Sequence, residues 1–144
     1  MRVMRGMIVL LAAGCSSSTA EVGSGVEIRT SGLAYDVGAP IDTRIVNNTG
    51  DIVYVAHCNF RISLLIEQRS AGAWHPYLQV NATACQDMGP MGERGIEAGA
   101  TVMDTFQIEQ AGEFRGKLYG RRASDDFGSI VSVSHPFMVR YPPD

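Results

Sequence analysis

The chain has 144 residues, with 12 basic and 15 acidic side chains, a net charge of −3 and 45% hydrophobic residues. That length suits one domain with its own core. The acidic balance speaks against nucleic acid or an anionic lipid surface as a partner held by charge.

The first element is N-terminal. Arg2 and Arg5 precede an apolar run of seven residues, Met7 to Ala13, and Leu11-Ala12-Ala13-Gly14-Cys15 closes it. The run is far short of the roughly 20 residues that span a bilayer. A basic start, a short apolar stretch and small residues make a secretory signal peptide. With a cysteine at its end it resembles a bacterial lipoprotein signal. The resemblance implies a signal peptide over residues 1–14, cleavage before Cys15 and a lipid on Cys15. Ala13 and Gly14 fit the family pattern. Leu11 lies one residue before the usual leucine position, where Ala12 stands. The alternative is an ordinary signal cut near Ala20, with Cys15 lost. Ser16 follows the cysteine, and in a two-membrane host that resembles sorting to the outer membrane. The expected location is therefore the cell envelope, lipid-anchored, facing the periplasm or the cell surface. Cleavage would leave 130 residues with 10 basic and 15 acidic side chains, a net charge of −5. The acyl chains, not surface charge, would hold such a protein to the membrane.

Residues 15–25 are small and polar and are expected to form a flexible tether. The domain is expected over 26–144, and its pattern is strand-like throughout. Val26, Ile28 and Thr30 alternate with Glu27 and Arg29, and Ile41, Thr43 and Ile45 alternate with Asp42 and Arg44. Ile52 to Ala56 is apolar and rich in β-branched residues. Ile62, Leu64 and Ile66 alternate with Ser63, Leu65 and Glu67. Val102, Phe106 and Ile108 share a face that Asp104 interrupts. Phe114, Gly116 and Leu118 alternate with Arg115, Lys117 and Tyr119. Ile130, Val131 and Val133 lead into Phe137, Val139 and Tyr141. Period two recurs and no sustained helical period appears. Asn47 to Asp51, Ser70 to Ala73, Gly95 to Ala100 and Ala111 to Glu113 punctuate the strands as turns. This predicts an all-β fold, a single antiparallel β-sandwich of about seven to eight strands. Ile45, Leu64, Ile66, Trp74, Phe106, Phe114, Leu118, Phe137 and Val139 are expected in its core.

Beyond Cys15 two cysteines remain, Cys58 and Cys85. In an exported chain an even pair reads as one disulfide. It would close a loop of 28 residues, worth about 3–4 kcal/mol on the chain-entropy model. Two buried thiols or a metal pair are the rival readings.

Several short stretches resemble a bacterial immunoglobulin-like domain. Tyr35-Asp36-Val37-Gly38 before Ile41 matches the opening before its second strand. Ile45-Val46-Asn47-Asn48 matches that strand's ending, and Gly72-Ala73-Trp74 a hairpin. Ile96 to Thr101 matches a glycine turn, and Ala111 to Arg115 the start of the penultimate strand. Ser134, Phe137 and Val139 match the last strand. The resemblance runs from Val26 to Tyr141 and implies an immunoglobulin-like sandwich. It is distantly similar to the bacterial proteinase-inhibitor sandwich family, although no inhibitory loop can be carried over. Phe114 stands where a tyrosine corner would need a hydroxyl, and Cys58…Trp74…Cys85 is not the antibody arrangement.

The candidate chemistry is sparse. No Gly-x-Ser-x-Gly elbow is present, and Ser134 beside His135 is sequence adjacency only. His57-Cys58, Met88 with Met91, and His135 with Met138 offer soft donors that copper would favour. Asp125-Asp126 reads as a turn and Arg121-Arg122 as a solvated strand end. The longest irregular segment, Asn81 to Gly99, suggests a partner-binding surface through Met88, Met91 and Arg94. The expectation is a non-catalytic interaction or structural module, lipid-anchored, needing no cofactor and no metal. It would bind the membrane through Cys15 and an envelope protein partner, but no nucleic acid. The alternatives are a periplasmic copper-binding protein and an inhibitor of a secreted hydrolase.

Overall fold

A chain patterned with period two should place its apolar side chains between two sheets, and the structure does so. The computed structural model describes residues 25–58, 61–81, 92–122 and 129–143, and every regular element in them is a strand. In chain order these are β1 (Val26–Thr30), β2 (Ala34–Asp36), β3 (Ile41–Asn47), β4 (Val53–Cys58), β5 (Arg61–Ile62) and β6 (Leu64–Ser70). Then come β7 (Ala73–Gln79), β8 (Gly92–Ile96), β9 (Thr101–Phe106), β10 (Gly112–Arg122), β11 (Ser129–Val133) and β12 (Phe137–Arg140). One sheet has three strands in the order β1-β3-β9. The other has nine and is built around the long β10. All pairings are antiparallel except that of β2 with β12, which is parallel.

Among the described residues twelve strands stand where seven to eight were expected: β2, β5 and β8 were not foreseen, and the stretch from Ile130 to Tyr141 divides into β11 and β12. β4 pairs with β10 from Val53↔Arg122 to Val55↔Gly120, and β6 resumes the same side of β10 at Leu64↔Leu118. Only Tyr119 separates the two pairings on β10, while residues 56–63 separate them on the other strand. β4 and β6 are thus one ladder line, interrupted where β4 turns back to pair with β5. On the far side of this line, β7 pairs with β6 and β8 with β4. On the other side of β10, β11 and β12 follow each other in the same way. β2, β5 and β8 lengthen the large sheet by pairing with β12 and β4, and add no layer.

The core joins both sheets. Ile28, Ile41 and Ile45 from the small sheet meet Val53, Val55, Ile66, Phe114, Leu118 and Val139 from the large one, all at most 2% exposed. Phe137 sits at an aromatic junction, with Phe114 stacked at 6.2 Å and Tyr35 edge-on at 5.8 Å. Phe106 of the opposite sheet lies at 6.4 Å. The expected core members are buried with one exception, Trp74. It is half-buried on the outer face, because its register partner Arg69 and the neighbouring Arg115 both point away from the core.

Local chemistry fixes the connections. Ala71 and Gly72 both have positive φ, 49° and 82°, as a two-residue hairpin between β6 and β7 requires. Asn47 is fully buried, and its amide donates to the carbonyls of Asp51, Ile96 and Glu97. Phe114 has no hydroxyl, but Tyr35 makes a comparable tie. Its hydroxyl donates to the Gly32 carbonyl at 2.9 Å and accepts from the Gly32 amide.

Gly120 lies where β10 passes closest to β4, paired with Val55 and, on its other side, with Ser129. A Cβ there would overlap the Tyr54 carbonyl oxygen, a backbone atom that cannot rotate away. Gly120→Ala should therefore destabilise the protein by about 1–3 kcal/mol through overpacking. Urea unfolding measures this, and an unchanged midpoint would mean that the two strands are further apart.

Candidate functional site

The residues singled out from the sequence fall into two groups. Cys15, Cys85, Met88, Met91 and Asp125-Asp126 lie outside the described residues, as does the N-terminal signal. Cys58 and Arg94 lie within them. Cys58 ends β4, 2% exposed. Arg94 sits on β8 opposite Val55, half-buried and engaged with a neighbour. His57 is half-buried, and His75 and His135 are exposed. Among the described residues no group of three or more His, Cys, Asp or Glu side chains is placed to hold a metal ion. Ser134 is spent on backbone. Its hydroxyl accepts from the Gly116 amide at 2.8 Å and donates to the His135 carbonyl at 2.9 Å.

The interruption of the β4–β6 line is held against the small sheet by one carboxylate. Asp104 broke the apolar pattern of β9, and its geometry explains why it is there. Its Oδ1 accepts from Arg61 Nη2 at 2.6 Å and its Oδ2 from Asn81 Nδ2 at 2.9 Å. Asn81, in a left-handed conformation at φ 63°, also donates to the Ile62 carbonyl. Arg61 reaches on to the Thr105 carbonyl at 3.0 Å. One acidic side chain thus ties β5 and the residue following Val80 to the edge of the opposite sheet. This also caps an edge strand that would otherwise offer free backbone groups to another chain.

A second cluster lies on the outer face of the large sheet, and the sequence did not single it out. Glu67 of β6 is directly opposite Arg115 of β10. Its Oε2 accepts from Arg115 Nε at 2.7 Å and its Oε1 from Lys117 Nζ at 2.6 Å. Arg115 in turn stacks over the Trp74 ring, 4.4 Å from its centroid, with Arg69 at 5.8 Å. Burial by itself would raise the Glu67 carboxyl. The hydrogen bonds from Lys117 and Arg115 outweigh it and hold the group below the ordinary carboxylate range.

No family model matches this chain, and no curated protein does. The described charges show a pattern without that help. Further along β10, Arg121 does not sit free at a solvated strand end. It pairs with Glu93 at 2.8 Å and stacks over Tyr54 at 4.5 Å. Glu93 is lowered by the hydrogen bond from Arg121. Cations stacked on rings and locked to carboxylates are a device for covering a sheet face.

Proposed function

We propose that the protein is a lipid-anchored, non-catalytic interaction or structural module of the cell envelope, with an immunoglobulin-like sandwich carried on a short tether. The observation that carries this reading is the stretch Leu11 to Cys15 after Arg2, Arg5 and the apolar run. The domain behind it supports the reading, because its described polar clusters hold strands together and cover faces. We further propose that Cys58 pairs with Cys85. Cys58 is buried and is not a free thiol. It lies in the interruption of the β4–β6 line, and Cys85 belongs to the stretch between β7 and β8, the strands that flank that line. A bridge would tie the chain between β7 and β8 to the end of β4. The partner surface in this reading is formed by Met88, Met91 and Arg94, which follow Cys85 in the sequence.

Cys15→Ser should move the protein from the detergent-extracted fraction to the soluble one, and radiolabelled palmitate should enter the unaltered chain but not the variant. A wild-type chain that takes up no label overturns the anchor.

A further inference from the structure

The outer face of the small sheet carries a charge arrangement that the fold does not need. Arg29 of β1 and Arg44 of β3 are directly opposite each other, and Met103 of β9 is next to Arg44 in the same row. Like charges directly opposite on neighbouring strands destabilise a sheet. Arg29 is answered by Glu27, which it grips through Nε and Nη2, both at 2.7 Å. Arg44 is not answered. Among the described residues it makes no hydrogen bond or ion pair, whereas Arg29, Arg61, Arg69 and Arg121 are each matched to a carboxylate; Arg122 and Arg140 are likewise unmatched, but neither faces another arginine across a strand pair or borders this cleft.

Arg44 borders a cleft of about 310 Å3 lined by Arg29, Thr30, Ser31, Asp42, Arg44 and Met103. That volume lies at the lower end of small-molecule sites. The charged groups on this face are Glu27, Arg29, Asp42 and Arg44. Glu27 is consumed by Arg29, and Asp42 Oδ1 accepts from the Thr105 hydroxyl at 2.7 Å. The unmatched guanidinium fork is the part of the cleft that lacks a partner, and its planar donors fit a carboxylate with two hydrogen bonds. Asp42, two residues along the same strand face, disfavours a second negative charge on the ligand. Met103 is 62% exposed and supplies an adaptable apolar contact beside the fork.

We propose that Arg44 and this cleft bind a monocarboxylate borne on an apolar group, either a free short-chain acid or the C-terminal end of a peptide. The proposal is independent of the anchor and of the Cys58 bridge.

The test follows the Arg44 Nε–H signal of the 15N-labelled full chain by NMR. The probes are butyrate, N-acetyl-leucine, its uncharged amide, and inorganic phosphate. Both carboxylates should shift the signal saturably and the amide should not. Phosphate should bind at least about tenfold more weakly, and Asp42→Asn should narrow that gap. N-acetyl-leucine binding more tightly than butyrate identifies a peptide terminus as the source, and the reverse order a free acid. Arg44→Gln should weaken butyrate binding, read on neighbouring backbone amides, by at least about tenfold. Its urea midpoint should be no lower than that of the wild type, because a repulsive cross-strand pair has been removed. Arg44→Lys should fall between the two, since it keeps the charge and loses the fork. Three results overturn the proposal: no saturable shift with either acid, equal binding by Arg44→Gln, or an amide that acts like the acid.

Discussion

Replacing Phe114 with alanine should cost about 3–5 kcal/mol, the range for removing a large aromatic from a closed core. Phe114 is fully buried on the long central strand β10, in register with Gln68 on one side and Phe137 on the other. Its ring stacks on Phe137 and takes Tyr77 edge-on at 5.1 Å. Truncation loses the transfer free energy of the ring. It also leaves a cavity that the surrounding strands cannot close, because their backbones are fixed by ladder hydrogen bonds on both sides of β10. Phe114→Leu should recover much of the loss by refilling that volume. Urea denaturation of the three proteins gives the comparison, with an unchanged m-value showing that the same surface is exposed on unfolding. A change below about 1 kcal/mol for the alanine variant would place this side chain outside the core.

That side chain was legible in the sequence because alternation is a local signal. Phe114, Gly116 and Leu118 needed only their own strand to be assigned a face, and the same holds for Ile45, Ile66, Phe137 and Val139. Trp74 was not legible. A large aromatic in a β-rich chain is by default placed inside, and what turns this one outward is a stack with Arg115, 41 residues away. Asp104 was visible as a break in the pattern of β9, but the reason for it required knowing that Arg61 and Asn81 arrive at the same edge. The strand count failed for a related reason. β2, β5 and β8 are short or carry glycine and show no apolar alternation, and only their pairing with β12 and β4 makes them strands. Faces follow from period two, whereas registers between distant strands depend on which side chains meet. The clusters around Glu67 and Arg44 are consequences of register.

Glu67→Gln is expected to cost about 3 kcal/mol at neutral pH. This is the low end of the range for removing one partner of a buried ion pair. The low end applies because Arg115 keeps 25% of its side chain exposed and recovers some hydration, whereas Lys117 keeps only 14%. Glutamine preserves the shape and one acceptor but leaves both cations without a carboxylate on a face that is already covered. The loss should depend on pH in a defined direction. The folded carboxyl is held below its ordinary value of 4.5. Its contribution is therefore complete above that value and is lost as the pH falls through the folded one. The wild type and Glu67→Gln should differ by a constant urea midpoint from about pH 8 down to about pH 5, and should converge at lower pH as Glu67 takes up its proton. Glu27 and Glu93 are also lowered, through the hydrogen bonds from Arg29 and Arg121. They are surface groups present in both proteins, so their titration cancels in the difference. Lys117→Met should reduce the effect of Glu67→Gln when the two are combined, because the stranded ammonium is then gone and only Arg115 is left unpaired. A midpoint difference that persists unchanged into strong acid would show that glutamine disturbs packing, not charge, and the pair would then not be what holds β6 to β10 on this face.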